Sequence, residues 1–137
     1  PAADGLNGQL ESAIARLSAE GTLDELLVLH ADLPLATAGA LLDLIAAAPS
    51  SPSATIVESP DGGTNAMLLR PPGRFPLAYG PRSCEKHCAA AEAAGMKLAM
   101  VSAPGLALDL DTPADVERLL ATPGGRASAA GRLLICT

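Results

Sequence analysis

Aromatic side chains are almost absent: Phe75 and Tyr79 stand alone, and there is no tryptophan. Proteins that hold bare bases stack them on aromatic faces, so this shortage argues against single-stranded nucleic acid as a partner. Basic charge is also scarce, with 9 Lys and Arg against 15 Asp and Glu and a formal net charge of -6. That balance leaves no electrostatic footprint for a phosphate backbone or an anionic lipid surface. Cys84, Cys88 and Cys136 are odd in number and lack a paired spacing, which suits a reducing compartment better than a disulfide framework. No apolar run is long enough to span a bilayer, and no stretch reads as a signal peptide. The expectation is a cytoplasmic protein with no nucleic-acid or membrane partner, whose acidic groups hold cations.

The chain has 137 residues, of which 49% are hydrophobic. That length suits one domain with a core of Leu, Ala, Ile, Val and Met. Leu6, Leu10, Ile14 and Leu17 recur at helical spacing and predict a helix from Leu6 to Ala19. Leu26-Leu27-Val28-Leu29, within Glu25 to His30, is a continuous apolar run of the kind buried on both faces of a sheet. Thr37 can cap a second helix carrying Leu41, Leu44 and Ile45, which stops before Pro49. Ala54 to Glu58 and Asn65 to Arg70 read as strands around the Pro60-Asp61-Gly62-Gly63 turn. Ser83 is placed to cap a helix from Cys84 to Ala94, with Gly95 as its left-handed stop. Lys97 to Val101 and Leu106 to Leu110 read as two further strands. Thr112-Pro113-Ala114-Asp115 has the cap, the proline and the carboxylate of a helix start, and that helix runs to about Leu120. Helices alternating with strands predict an α/β sandwich with a mixed, mainly parallel sheet. The expected organisation is a domain over residues 1–121 and a mobile tail over 122–137, where Gly, Ala and Ser dominate.

Asp32-Leu33-Pro34 and Asp109-Leu110-Asp111-Thr112-Pro113-Ala114-Asp115 each place carboxylates at the carboxyl end of an expected strand. An open α/β sheet keeps its ligand crevice there, and hard oxygen ligands suit magnesium held together with phosphates. The two-residue spacing of Asp109 and Asp111 would put both on one face of a strand. Gly62-Gly63-Thr64-Asn65-Ala66 adds small residues and amides of the sort found where a backbone approaches an anion. Nucleotide chemistry is the reading these segments share.

Four segments carry a family resemblance. Asp32-Leu33-Pro34, the run Asp61 to Pro72, the segment Tyr79-Gly80-Pro81-Arg82-Ser83-Cys84-Glu85-Lys86-His87 and the acidic string Asp109 to Asp115 resemble, in matching order, the 2-phospho-L-lactate guanylyltransferase family of coenzyme F-420 biosynthesis. The resemblance implies the three-layer nucleotidyltransferase fold, GT-A-like and Rossmann-like, truncated at its N-terminus. It also implies transfer of GMP from GTP to a small phospho-acid, such as 2-phospho-L-lactate, phosphoenolpyruvate or 3-phosphoglycerate, with release of pyrophosphate. Asp32, Asp109 and Asp111 are then the expected magnesium ligands. Thr64, Gly80, Ser83 and His87 are expected at the acceptor, and Asn7 at the nucleotide. The family's opening strand and its Pro-Val-Lys and Lys-x-Arg-Leu segments have no counterpart here. The chain is accordingly expected either to self-associate through the Glu25 to His30 edge or to have little transferase activity.

Plainer readings stand beside these. Asp115 reads as the acid of a capping box and Asp61 as a turn residue. Gly62-Gly63 alone would be a hairpin turn, Ser83 an ordinary cap, Asn7 a first-turn polar residue and His30 the end of a buried strand. His87 faces either the acceptor or the core. Cys84, His87 and Cys88 share a helical face, but no fourth zinc ligand lies nearby in sequence. A non-catalytic remnant that binds phospho-acid or a partner, and a molybdopterin or sugar-phosphate nucleotidyltransferase, are the alternatives to the guanylyltransferase.

Overall fold

The computed structural model describes residues 5–73 and 75–136. The outer ends of the expected spans 1–121 and 122–137 lie outside the described residues. The elements run α1 (Leu6–Glu20), β1 (Leu26–Leu29), α2 (Ala38–Ala47), β2 (Ser53–Glu58), β3 (Thr64–Arg70), α3 (Ser83–Ala93), β4 (Lys97–Met100), α4 (Pro104–Ala107), α5 (Pro113–Leu120), α6 (Pro123–Ala127) and α7 (Ala129–Ile135).

The strands form one sheet in the order β1-β3-β2-β4. It is mixed, as expected, but two of its three pairings are antiparallel and only β2 with β4 is parallel. The reason is local. The Pro60 to Gly63 turn folds β3 back on β2 as a hairpin, and β1 then adds to the far side of β3.

Alternation along the strands divides the core between two faces. Ala54, Ile56, Met67 and Leu69 point to one face, where Cys84 and Ala91 of α3 cover them and Leu10 and Ile14 of α1 pack alongside. Val57 and Ala66 point to the other and meet Leu44 of α2 and Leu106 of α4. Helices on both faces give three layers. Leu44, Ile56, Met67 and Leu69 are fully buried, each stabilising by about 1.5–3 kcal/mol relative to exposure. Arg70 ties the far end of the sheet together, donating to Glu25 at 2.7 Å and to the Ile45 and Ala48 carbonyls at 3.4 and 3.5 Å.

Three expectations need correction. Leu106 to Leu110 is not a strand. Pro104 starts the one-turn helix α4 instead, and the chain beyond it is held by other partners: the Asn65 side chain donates to the Ala107 carbonyl at 3.0 Å, and the Leu110 amide to the Asp32 carbonyl at 3.2 Å. Ser83 does not cap α3. Arg82 is the cap residue, in left-handed conformation at φ 56°, and Ser83 is the first residue of the helix. The segment after Thr122, expected as a tail without register, forms α6 and α7, capped by the hydroxyls of Thr122 and Ser128. No described helix is long and apolar enough to cross a membrane.

Candidate active site

The register decides where the chemistry gathers. β3 is antiparallel to both β1 and β2, and β2 is parallel to β4, so β1, β2 and β4 all run the same way. Their carboxyl ends and the start of β3 therefore lie at one edge. Asp32 follows β1, Asp61 follows β2, Thr64 opens β3, and Asp109 and Asp111 follow β4. This is where an open α/β sheet binds its ligands.

Two cross-links hold the acidic half. Asn65, 1% exposed, anchors the α4 loop through the Ala107 carbonyl, while its own carbonyl accepts from the His30 amide at 3.0 Å. The Leu110–Asp32 backbone bond then brings the first acidic segment against the second. Because Asp109 and Asp111 lie on an extended connection and not a strand, it is this crossing, and not a shared strand face, that sets them beside Asp32. Asp61, Asp109, Asp111, Thr112, Asp115 and Arg118 line a cavity of about 270 Å³.

The carboxylates there differ in their commitments. Asp115 completes a capping box with Thr112, also accepts from the Asp111 amide, and pairs with Arg118 at 3.0 Å. Asp61 accepts from the Ser59 hydroxyl and from the Gly63 amide, and these bonds lower its pKa. Both behave as the sequence reading of cap and turn expected. None of the three ion pairs among the described residues uses Asp32, Asp109 or Asp111. Burial raises the pKa of Asp109, and the charges of Asp111, Asp61 and Asp32 raise it further. An added cation would relieve that repulsion. Among the described residues no three Asp, Glu, His or Cys side chains are grouped to enclose a metal ion. Magnesium bound with nucleotides does not need such a cage, because one or two carboxylates, phosphates and water complete its shell. The donor chemistry fits magnesium on those terms.

The second half is built of buried hydroxyls. Thr64 Oγ1, in a residue 1% exposed, lies 2.9 Å from His87 Nδ1 and 3.4 Å from Ser83 Oγ. His87 Nε2 accepts from the Ala78 amide at 2.9 Å, and the ring has no exposure. With both nitrogens engaged, His87 stands behind Thr64, and neither nitrogen is free to join Cys84 and Cys88 on zinc. The amides expected to grip an anion are largely engaged within the protein. Gly62 donates to the Ser59 carbonyl, Gly63 to Asp61, Ser83 to the Gly80 carbonyl and Cys84 to the Gly62 carbonyl. The glycines serve the turn: Gly62 has φ +84°, and a Cβ on Gly63 would lie 2.6 Å from Ser59 Oγ. Gly80, at φ +126°, opens the turn into α3. Asn7 also has a use that the sequence reading missed, since its amide pairs with both backbone groups of Tyr79.

Residues 2–130 match the family described as guanylyl transferase CofC like. The chain belongs to that family. It is 43% identical over 123 residues to a phosphoenolpyruvate guanylyltransferase of Rubrobacter xylanophilus, covering 88% of this chain and 58% of the relative. To a 3-phospho-D-glycerate guanylyltransferase of Phenylobacterium zucineum it is 31% identical over 129 residues, covering 94% of this chain and 59% of the relative. The chain thus spans a little over half the length of these curated relatives. A crystal structure from Desulfovibrio desulfuricans, named for a nucleotide-diphospho-sugar transferase, superposes with a TM-score of 0.70 at 20% identity, over 95% of this chain and 58% of that one. That likeness supports the nucleotidyltransferase fold.

For this CofC-like chain, sequence reasoning missed Asn65, Ala78 and Arg118. Asn65 had a legible signal, because an amide within an otherwise apolar strand must find a partner when buried. Ala78 acts through its backbone, and no side-chain motif marks it.

Proposed function

We propose that this chain is the acceptor-binding and metal-binding part of a guanylyltransferase that transfers GMP from GTP to a small phospho-acid and releases pyrophosphate, in the cytoplasmic biosynthesis of coenzyme F-420. One observation carries the reading: a cluster of carboxylates without ion-pair partners and a set of buried hydroxyls meet at one end of the sheet. The two halves suit the two needs of the reaction. A phosphate oxygen of the acid displaces pyrophosphate from the α-phosphorus of GTP. The nucleophile is already an anion, so positioning and charge neutralisation replace a general base.

Asp32, Asp109 and Asp111 would offer the one or two carboxylates that magnesium takes beside phosphate and water, and the ion would supply charge neutralisation between two anionic reactants. Thr64 and Ser83 would offer hydroxyl protons to the phospho-acid, with Gly80 shaping the approach. The relatives' names favour phosphoenolpyruvate or 3-phosphoglycerate over other acids as the acceptor. In the test, the full-length protein is incubated with GTP, magnesium and each of 2-phospho-L-lactate, phosphoenolpyruvate and 3-phosphoglycerate, and pyrophosphate and the guanosine-diphosphate-capped acid are quantified together. Equal release of both products with one acid supports the reading. Binding of an acid without any turnover would point to the non-catalytic remnant.

A further inference from the structure

The Thr64 hydroxyl has its direction set from behind. A backbone amide can only donate, so the Ala78 N–H at 2.9 Å requires His87 Nε2 to be an unprotonated acceptor. The ring is neutral, since burial, aided by the charge of Lys86, pushes its pKa down to about 4. Its one proton therefore sits on Nδ1, 2.9 Å from Thr64 Oγ1, and is donated to that oxygen. Edge contact with Tyr79 at a centroid distance of 4.8 Å and the Phe75 ring at 6.1 Å hold the imidazole plane. An oxygen that accepts from His87 must aim its own hydrogen elsewhere. Ser83 Oγ, at 3.4 Å, is beyond the usual length of an O–H···O bond.

We propose that His87 is a positioning residue for the acceptor: locked in its Nδ1–H tautomer by the Ala78 amide, it fixes the Thr64 hydroxyl as a donor toward an anionic oxygen of the phospho-acid. The inference rests on the guanylyltransferase reading and adds to it. His87 itself offers the substrate no polar atom, because both of its ring nitrogens are bonded within the protein. The arrangement selects an ionised phosphate or carboxylate oxygen, which can only accept, over a group that must donate.

The test uses the full-length protein with GTP and phosphoenolpyruvate or 3-phosphoglycerate. His87→Gln places an amide near the Nε2 position and loses the bond to Thr64, whereas His87→Asn places an N–H near the Nδ1 position and keeps it. His87→Gln should raise the acceptor KM by about tenfold or more, the effect of losing one hydrogen bond to a charged group, with kcat and the GTP KM little changed. His87→Asn should restore the acceptor KM, and adding His87→Gln to Thr64→Val should cost nothing further. The ring 15N shifts of His87 in the unmutated protein should report Nδ1–H, a measurement that does not depend on how the variants fold. An Nε2–H tautomer, an unchanged acceptor KM in His87→Gln, or equal losses in the Gln and Asn variants would each overturn the inference while leaving the guanylyltransferase reading intact. If the unmutated protein neither bound nor consumed any of the three phospho-acids, that reading would fall and this inference with it.

Discussion

Asn7 pairs with Tyr79 as a neighbouring strand would: its Oδ1 accepts from the Tyr79 N–H at 2.8 Å and its Nδ2 donates to the Tyr79 carbonyl at 3.0 Å. The two residues are 72 apart in sequence. The contact fastens the first turn of α1 to the segment that leads through Gly80 into α3. A polar side chain on a helix with no buried residues thereby holds the segment that leads to Ser83, beside Thr64.

Removing that amide should loosen one segment more than the whole fold. Asn7→Ala leaves both Tyr79 backbone groups without their partner, at a cost of about 1–3 kcal/mol. Exchange of the Tyr79 amide hydrogen should quicken well beyond the change at β3, and affinity for phosphoenolpyruvate should fall. Protection at Tyr79 equal to that of the parent would show that the pair is incidental.

Asp109 should trade cation binding against stability. Its folded-state pKa lies above the usual carboxylate value because of burial and then of Asp111, Asp61 and Asp32. A raised carboxylate pKa means that the ionised form opposes folding once pH rises through that value. At neutral pH without divalent cation, Asp109→Asn should therefore melt at or above the parent temperature. Magnesium at a hundred times its Kd should stabilise the parent by about 2.7 kcal/mol and the variant by distinctly less. Equal magnesium responses in thermal melts would assign Asp109 a structural role.

His87 predicts a loss of stability in mild acid. The folded-state pKa of about 4 lies below the ordinary 6.5, so the unfolded chain takes up the proton first. The contribution of the neutral ring is complete above about pH 6.5 and is lost as pH falls through about 4. Urea midpoints measured across this window should fall for the parent and fall less for His87→Gln. Parallel slopes in the two proteins would mean that other groups carry the acid sensitivity.

The free edge of β1 should support association of the 137-residue chain. β1 pairs with β3 alone among the described strands, and Leu29 at its end is 37% exposed. Leu26-Leu27-Val28-Leu29 has neither the lysine nor the proline with which edges discourage pairing. Light scattering at rising concentration should show dimers or larger species, and Leu29→Lys should shift them toward monomer. A parent that stays monomeric throughout would show this edge to be inert.

Much of the fold was legible because its signals are local. The Thr112–Asp115 capping box, the Thr37 cap, the Gly62-Gly63 turn and the apolar run of β1 each act within a few residues, so pattern and propensity suffice to read them. Four ordered motifs likewise led from sequence to the family that residues 2–130 match. The strand expected over Leu106 to Leu110 misled because its apolar residues fit either a strand or a short helix, and the deciding partner, Asn65, lies 42 residues from Ala107.

The sequence by itself determined helices α1, α2, α3 and α5, the hairpin, the acidic segments and the kind of chemistry they suit, since these follow from neighbours along the chain. Only the tertiary structure decided which groups remain available for that chemistry. It engaged the Gly62, Gly63 and Ser83 amides in turns and the Cys84 amide on the distant Gly62 carbonyl, set His87 behind Thr64 across 23 residues, and gave Asn7 to Tyr79 across 72. The physical reason is that a buried polar group must take whatever partner the packed sheet and helices bring within about 3 Å, and that choice is made in space, where distance along the chain carries no information.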